Sequence, residues 1–135
     1  MSKAFRYIAC CDVLGFKKFV EQSSLDIVIE RYEELFHRAK ECSERPTIFL
    51  TEGKSAIRFE YVSYSIFSDT ILIWTEWPLE KPKQEEVYAV QNFFDMVGGL
   101  VGASIHAKLP IRGGVAYGEC FIDPRNNKYI GQPII

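Results

Sequence analysis

The sequence predicts an α+β sandwich of the ferredoxin-like, split-βαβ kind, with helices on one face of an antiparallel-rich sheet. Strand-like segments alternate along the chain with two segments of helical periodicity. Two of the strand-like segments are separated only by a short polar break, which is typical of a hairpin. No internal repeat or low-complexity segment divides the 135 residues, so we expect one domain over residues 1–135. Helices between strands, with antiparallel pairing in the middle, favour this arrangement.

The first predicted strand is Phe5–Cys11, an aromatic and apolar run. A helix is predicted from about Ser24 and ends at Pro46. Ser23 and Asp26 have the spacing of a capping box at its start, and apolar residues then recur at steps of three and four. These apolar positions are Val28, Tyr32, Leu35, Phe36, Ala39 and Cys42.

The middle of the chain is predicted to form a hairpin. Apolar and charged residues alternate over residues 57–61, which is the pattern of a half-buried strand. The chain then turns near residues 67–69 and continues as a second β-rich run over residues 70–74. Two prolines and several charges predict a loop over residues 77–84.

A second helix is predicted after this loop. The Gly98–Gly99 pair weakens its helical pattern, and we interpret the pair as a close approach of the helix to the sheet. Residues 110–117 are a predicted strand, and residues 118–123 are its continuation or its partner. A turn at 124–127 precedes a further strand at 128–130. The apolar stripe of the second helix consists of Val87, Val90, Phe94, Val97 and Val101.

Composition excludes several classes of function. A net charge of −2 and a pI near 5.7 argue against binding nucleic acid by broad phosphate attraction. No apolar run is long enough to span a membrane, and charges interrupt the start of the chain too early for a signal peptide. Cys10, Cys11, Cys42 and Cys120 lack the spacing of a zinc site. We therefore expect a cytoplasmic protein with no nucleic-acid or membrane partner.

Two carboxylates lie in surroundings that are unusual for solvated charges. Asp12 closes the apolar first strand, and Asp69 lies at the tip of the predicted hairpin. In a ferredoxin-like sheet these two strands are neighbours, so the side chains can converge and hold Mg²⁺ or Mn²⁺ between them. Gly15 permits a tight turn whose backbone N–H groups face a phosphate. By spacing alone, Asp12 also fits a helix cap and Asp69 an ordinary turn residue.

Four motifs together resemble the class III adenylate and guanylate cyclases. Residues 12–16 (Asp-Val-Leu-Gly-Phe) are similar to the family's Asp-Ile-x-Gly-Phe signature, and Ser68-Asp69 falls where the family has a Gly-Asp hairpin. Residues 112–118 (Arg-Gly-Gly-Val-Ala-Tyr-Gly) resemble its Arg-x-Gly-Ile-x-x-Gly strand, and residues 129–134 resemble the segment before its last interfacial helix. The residues of these motifs most resemble those of the Pycsar-type cyclases, a bacterial antiphage group that makes cyclic CMP or cyclic UMP.

The resemblance implies a role for each matching residue. Asp12 and Asp69 would hold two Mg²⁺ or Mn²⁺ ions, with the Val13 carbonyl as a further ligand. The ribose 3′-hydroxyl would attack the α-phosphate of a bound nucleoside triphosphate and expel pyrophosphate. The family also implies a head-to-tail homodimer. The positions expected to contact the triphosphate are Leu14, Gly15, Phe16 and Arg112.

Three departures from the family pattern change what we expect. Ser65 aligns near the family's adenine-reading lysine, so ATP is not the expected substrate. The resemblance of the motifs to the Pycsar-type cyclases favours a pyrimidine triphosphate, UTP or CTP, in its place. The interfacial asparagine falls at about Ile135, and the transition-state arginine falls beyond it. We therefore expect a domain that lacks its C-terminal part, binds nucleotide and metal, and turns over little. An active chain of this length would need Lys128 or Arg125 to supply the missing charge.

Two other readings of the sequence stay open. One is a catalytically inactive cyclase-like module that binds a nucleotide as a sensor, and the other is a ferredoxin-like interaction domain without a ligand. A diguanylate cyclase is less favoured, because no Gly-Gly-Asp/Glu-Glu-Phe run occurs at the hairpin.

Overall fold

The part of the chain that the structure describes forms five strands and three α-helices. The computed structural model describes residues 2–43, 62–75, 83–126 and 128–131. The strands are β1 (Ser2–Val13), β2 (Val62–Phe67), β3 (Thr70–Thr75), β4 (Ile111–Asp123) and β5 (Lys128–Gly131). The helices are α1 (Phe16–Gln22), α2 (Leu25–Ser43) and α3 (Lys83–His106), and one turn of 3₁₀ helix (Pro124–Asn126) joins β4 to β5.

The five strands form one antiparallel sheet in the order β2-β3-β1-β4-β5. β1 lies at its centre, between β3 and β4. Helices α2 and α3 pack against each other and share a core with one face of the sheet. The predicted split-βαβ sandwich, with helices on one face, is therefore confirmed.

The main apolar core lies between the helices and the sheet. Alternate residues of β1, from Ala9 to Val13, enter it because successive side chains of a strand point to opposite faces. A smaller apolar cluster lies on the opposite face of the sheet. It includes Ile8 of β1, and Cys10 of the same strand packs against it. The main core also contains Leu35, Ile71, Ile73, Phe93, Met96 and Leu100, and the smaller cluster consists of Ile8, Leu72, Trp74, Cys120 and Ile122.

The buried face of α3 is not the one that the sequence pattern predicted. Phe93 and Leu100 are buried, whereas Phe94 and Val101 are 47% and 44% exposed. The centre of the buried face is displaced by one residue, about 100° around the helix, from the predicted stripe. Val97, a member of that stripe, packs at the edge of the main core. Because α3 carries apolar residues on both faces, its periodicity does not identify the packed one. A Cβ at Gly98 would meet nothing within 4 Å, so Gly98 itself makes no close approach to the sheet.

Several boundaries differ from the predictions. The cap of α2 is Ser24, whose Oγ accepts a hydrogen bond from the Ile27 N–H at 3.4 Å, so the predicted capping role of Ser23 is wrong. Helix α1 was not predicted. β4 is continuous, so residues 118–123 continue the strand. The strand predicted over residues 57–61 lies outside the described residues.

The predicted hairpin turn and the predicted start of the last strand are confirmed. The turn falls at residues 68–69, and a strand begins at residue 128. Cys10, Cys11 and Cys120 are free cysteines. None of the helices in the described ranges is long and apolar enough to cross a membrane.

Candidate functional site

Strand pairing brings the two predicted carboxylates to adjoining ends of the sheet. Asp12 is opposite Thr70 in the register of β1 and β3, and Asp69 immediately precedes Thr70. The backbone N–H of Val13 donates to the Asp69 carbonyl oxygen at 2.9 Å, which ties the turn to the end of β1. Both aspartates are half-buried. Asp12 lies inside β1, and the N-cap of α1 is Gly15, so Asp12 does not cap that helix.

Three polar residues form one row across the sheet at this end. Thr70 on β3, Asp12 on β1 and Arg112 on β4 are register partners, so their side chains share the face opposite the helices. The Thr70 hydroxyl donates to Asp12 Oδ1 at 3.1 Å, which orients the carboxylate. Arg112 is exposed and carries positive charge to the same end. The row therefore combines a fixed carboxylate with an accessible guanidinium.

The turn that carries Asp69 is also held from the helix layer. Ser68 adopts a left-handed backbone conformation with φ of 55°, and its carbonyl accepts a hydrogen bond from the Tyr32 hydroxyl of α2 at 3.3 Å. Burial, and next the negative charge of Asp69, raise the pKa of Tyr32 to about 12. The hydroxyl therefore keeps its proton, and can donate this bond, across the physiological pH range.

Gly15 links β1 to α1 through a left-handed conformation with φ of 67°, which a side chain adopts only with strain. The adjoining Leu14 N–H donates to the Pro110 carbonyl at 2.8 Å. That amide is already paired, so a phosphate at this turn would be bound by the amides of Gly15 and Phe16 rather than by all three predicted residues. The Phe16 ring is half-buried against Tyr32, at 5.8 Å between centroids.

Ser65 lies on β2, on the same side of the sheet as the smaller apolar cluster. Its Oγ accepts a hydrogen bond from the Tyr129 hydroxyl of β5 at 2.9 Å. The position that the resemblance assigns to base recognition therefore presents a neutral hydroxyl with a protein partner. A lysine ammonium there would place a positive charge against a phenol.

The Arg112 motif contains a glycine that packing requires. A Cβ on Gly113 would overlap the Cys10 carbonyl oxygen and lie 2.8 Å from Cys11 Cα, so no side chain fits between β4 and β1. Gly114 has open space at the corresponding position. The two adjacent glycines therefore differ: the first allows the close strand contact beside Arg112, and the second leaves the surface open.

Cavities along β4 lie on the helix side of the sheet, away from the aspartates. One of about 450 Å³ is lined by Tyr7, Val87, Val90 and Tyr117. Another of about 380 Å³ is lined largely by apolar residues of α3 and β4, including Val97, Val101 and Val115. Neither of these two cavities is lined by Asp12 or Asp69, and Arg112 borders the second.

The donor set suits a hard divalent cation. Within the described ranges, no group of three or more His, Cys, Asp or Glu side chains converges as a metal cage. Mg²⁺ needs no such cage, because it usually takes one or two protein carboxylates and leaves other positions to water and phosphate oxygens. Two half-buried carboxylates at adjoining strand ends meet that requirement.

Sequence reasoning missed three residues that shape this site. Thr70 orients Asp12, Tyr32 holds the Ser68 carbonyl, and Tyr129 bonds Ser65. Their partners are separated by 58, 36 and 64 positions in the chain, so local patterning carries no signal for these contacts.

Comparison with known proteins identifies the fold. No protein-family model and no curated protein matches the chain. Among solved structures, the guanylyl cyclase Cya2 matches with a TM-score of 0.57 and 16% identity, over 98% of this chain and 66% of that chain. The adenylyl cyclase CyaB from P. aeruginosa matches with a TM-score of 0.53 and 16% identity, over 98% and 68%. The chain therefore has the α+β fold of these cyclases and spans about two-thirds of the length of each.

Proposed function

We propose that this chain is a nucleotide cyclase domain, which converts a nucleoside triphosphate to a 3′,5′-cyclic nucleotide and pyrophosphate. The observation that supports the proposal best is that the backbone places Asp12 and Asp69 at adjoining strand ends of a cyclase-like fold. The two residues are 57 positions apart, yet the resemblance had assigned both to the same site. Fold similarity alone carries less weight, because one fold hosts many functions.

Asp12, Asp69 and the Val13 carbonyl are the proposed ligands of two Mg²⁺ or Mn²⁺ ions. Such ions would supply Lewis acidity, lower the pKa of the ribose 3′-hydroxyl and neutralise phosphate charge. The hydrogen bond from Thr70 to Asp12 Oδ1 restricts how that carboxylate can rotate, and the Val13–Asp69 bond fixes the distance between the two strand ends. These contacts of the chain preorganise the carboxylates before a substrate arrives.

Arg112 and the turn after β1 are proposed to bind the triphosphate. Arg112 shares a face with Asp12 and is exposed, so its guanidinium can reach the outer phosphates without desolvation by the protein. The amides of Gly15 and Phe16 would contact phosphate oxygens, while the Leu14 amide stays with Pro110. Positioning and charge neutralisation of this kind account for most of the catalysis of phosphoryl transfer.

We propose a pyrimidine triphosphate as the substrate, with cyclic CMP or cyclic UMP as product and a role in antiphage signalling. Two features support it: the motif wording, and a neutral hydroxyl at Ser65 in place of the family's lysine. The working form is proposed to be a cytoplasmic head-to-tail homodimer. We also propose that residues 1–135 are the front part of a longer cyclase domain whose remainder supplies the transition-state arginine.

Binding is the direct test of this proposal. Isothermal titration of the 135-residue chain with Mn²⁺ and a non-cyclisable nucleoside triphosphate is expected to show saturable, metal-dependent binding. Asp12→Asn and Asp69→Asn should each abolish the metal-dependent part. Asp95→Asn removes an equal charge from an exposed position on α3 and should leave binding unchanged. Unchanged binding in both site variants would remove the phosphoryl-transfer proposal.

The same preparations also show which triphosphate is the substrate and whether the chain is catalytically active. Incubation with each of the four triphosphates and Mn²⁺, followed by chromatography, should give more cyclic CMP or cyclic UMP than cyclic AMP. A dominant cyclic AMP product would contradict the pyrimidine assignment. Binding with little or no product from this chain is the result expected without the transition-state arginine. A longer chain that carries the arginine and still forms no product would favour the alternative of an inactive cyclase-like nucleotide-binding module.

A further inference from the structure

The two edges of the sheet meet on the face opposite the helices. β5 and β2 are separated by β4, β1 and β3, so a flat sheet would hold them about 19 Å apart at about 4.8 Å per strand. The Tyr129 hydroxyl on β5 is nevertheless 2.9 Å from Ser65 Oγ on β2. The sheet therefore curls strongly, and Tyr129 closes the curl.

Tyr129 contacts the hairpin at three points. Its ring lies 5.1 Å from the ring of Phe67 at 78°, and 5.8 Å from the ring of Trp74 at 62°, both edge-to-face arrangements. Its hydroxyl donates to Ser65. Phe67 is the last residue of β2 and immediately precedes the turn of Ser68 and Asp69. The contact therefore acts on the base of the turn that carries the candidate metal-binding carboxylate.

The turn is fixed from three directions. β1 holds it through the Val13 N–H and the Asp69 carbonyl, and α2 holds it through the Tyr32 hydroxyl and the Ser68 carbonyl. Tyr129 supplies the third contact, from β5 and through Phe67. The hydrogen bonds to the Asp69 and Ser68 carbonyls restrain only the turn. The ring of Tyr129 instead restrains β2, the strand that leads into the turn.

We propose that Tyr129 is a positioning residue that holds the β2–β3 hairpin so that Asp69 stays beside Asp12. The positional role follows from the contacts themselves, and its effect on metal binding rests on the proposed function. Loss of the ring releases the hairpin from β5. The turn then opens more often, the Val13–Asp69 bond breaks more often, and the two carboxylates spend less time together.

Amide hydrogen exchange at two neighbouring residues tests the positional role without any ligand. The Val13 N–H bonds the hairpin at 2.9 Å, whereas the Leu14 N–H bonds Pro110 at 2.8 Å and does not contact the hairpin. Tyr129→Leu should accelerate exchange at Val13 by about thirtyfold, from the lost ring contacts and hydrogen bond. Exchange at Leu14 should change little, because local opening does not unfold the rest of the sheet.

Two further variants complete the design. Tyr129→Phe keeps the ring and loses only the hydroxyl, so acceleration at Val13 should be about fivefold. Tyr64→Leu makes the same substitution on β2, where the Tyr64 side chain lies on the helix side of the sheet and is 39% exposed. The exchange rate of the Val13 amide should be the same in this variant as in the unmodified chain. If Tyr129→Leu does not fold, Tyr129→Phe gives the same contrast between Val13 and Leu14.

Metal titration connects the inference to the site. The Mn²⁺ concentration for half-maximal nucleotide binding should rise about tenfold in Tyr129→Leu and stay unchanged in Tyr64→Leu, as expected for a loss of preorganisation. Equal acceleration at Val13 and Leu14, or none at Val13, would overturn the positional role. If the unmodified chain binds no metal-dependent nucleotide, the proposed function fails, while the exchange contrast still decides whether Tyr129 positions the hairpin.

Discussion

The face of the sheet that carries the helices and the face opposite it come from the same strands but differ in chemistry. On the helix side, alternate residues of β1 and β3 join Leu35 and Phe93 in a continuous apolar core. On the opposite side, a smaller apolar cluster packs around Tyr129. The end of that face beside the hairpin turn carries Thr70, Asp12 and Arg112 in one row.

The difference teaches where this fold can place a charged site. A strand sends alternate side chains to opposite faces, so the helices can bury only one set. The second set is partly covered by the curl of the sheet, which leaves one end open. Charged groups are tolerated there because water still reaches them, and burial of an unpaired charge is costly. The apolar face therefore supports the fold, and the open end of the other face is where we propose that the chemistry takes place.

The largest expected effect is on the helix side, at two adjacent phenylalanines of α3. Phe93→Ala should lower the free energy of unfolding by about 3–5 kcal/mol, because the side chain is fully buried and leaves a cavity. Phe94→Ala should cost about 1 kcal/mol, because nearly half of that side chain is already exposed. Urea denaturation of both variants measures the difference. A larger cost for Phe94→Ala than for Phe93→Ala would mean that α3 packs through the stripe that the sequence pattern indicated.

An intermediate effect is expected at the two glycines beside Arg112, which point to opposite faces of β4. Gly113→Ala should cost about 1–3 kcal/mol, because the new methyl group overlaps the backbone of Cys10 and Cys11. Gly114→Ala has open space and should be neutral or stabilise by up to about 1 kcal/mol, because alanine restricts the unfolded chain. Thermal denaturation compares them. A tolerated Gly113→Ala would contradict the close β1–β4 approach.

The smallest expected effect concerns Tyr32, which connects the helix layer to the hairpin tip. Its pKa is raised from 10.0 to about 12, so the folded protein keeps the phenol proton where the unfolded chain loses it. The free energy of unfolding should therefore fall as the pH rises from 10.0 towards 12, and this contribution is fully present below that window. Denaturation at a series of pH values measures the slope.

Two variants isolate the contribution of Tyr32. Tyr32→Phe should flatten the alkaline slope, and Tyr64→Phe, on the exposed part of β2, should retain it. Asp69→Asn should shift the loss of stability to lower pH, because the charge of Asp69 is the second cause of the raised pKa. An unchanged slope in Tyr32→Phe would show that other groups control alkaline stability.

The sequence by itself determined the alternation of strands with the two long helices, the hairpin turn at residues 68–69 and the neighbouring positions of the strands that carry Asp12 and Asp69. These features follow from local periodicity, turn residues and the few ways of pairing such strands. Only the tertiary structure decided which side of α3 is buried, since α3 is apolar on both sides and packing selects one. It also decided that Thr70 orients Asp12 and that Tyr129 reaches Ser65. Those contacts join residues 58 and 64 positions apart, and they depend on the pairing and curl of the whole sheet.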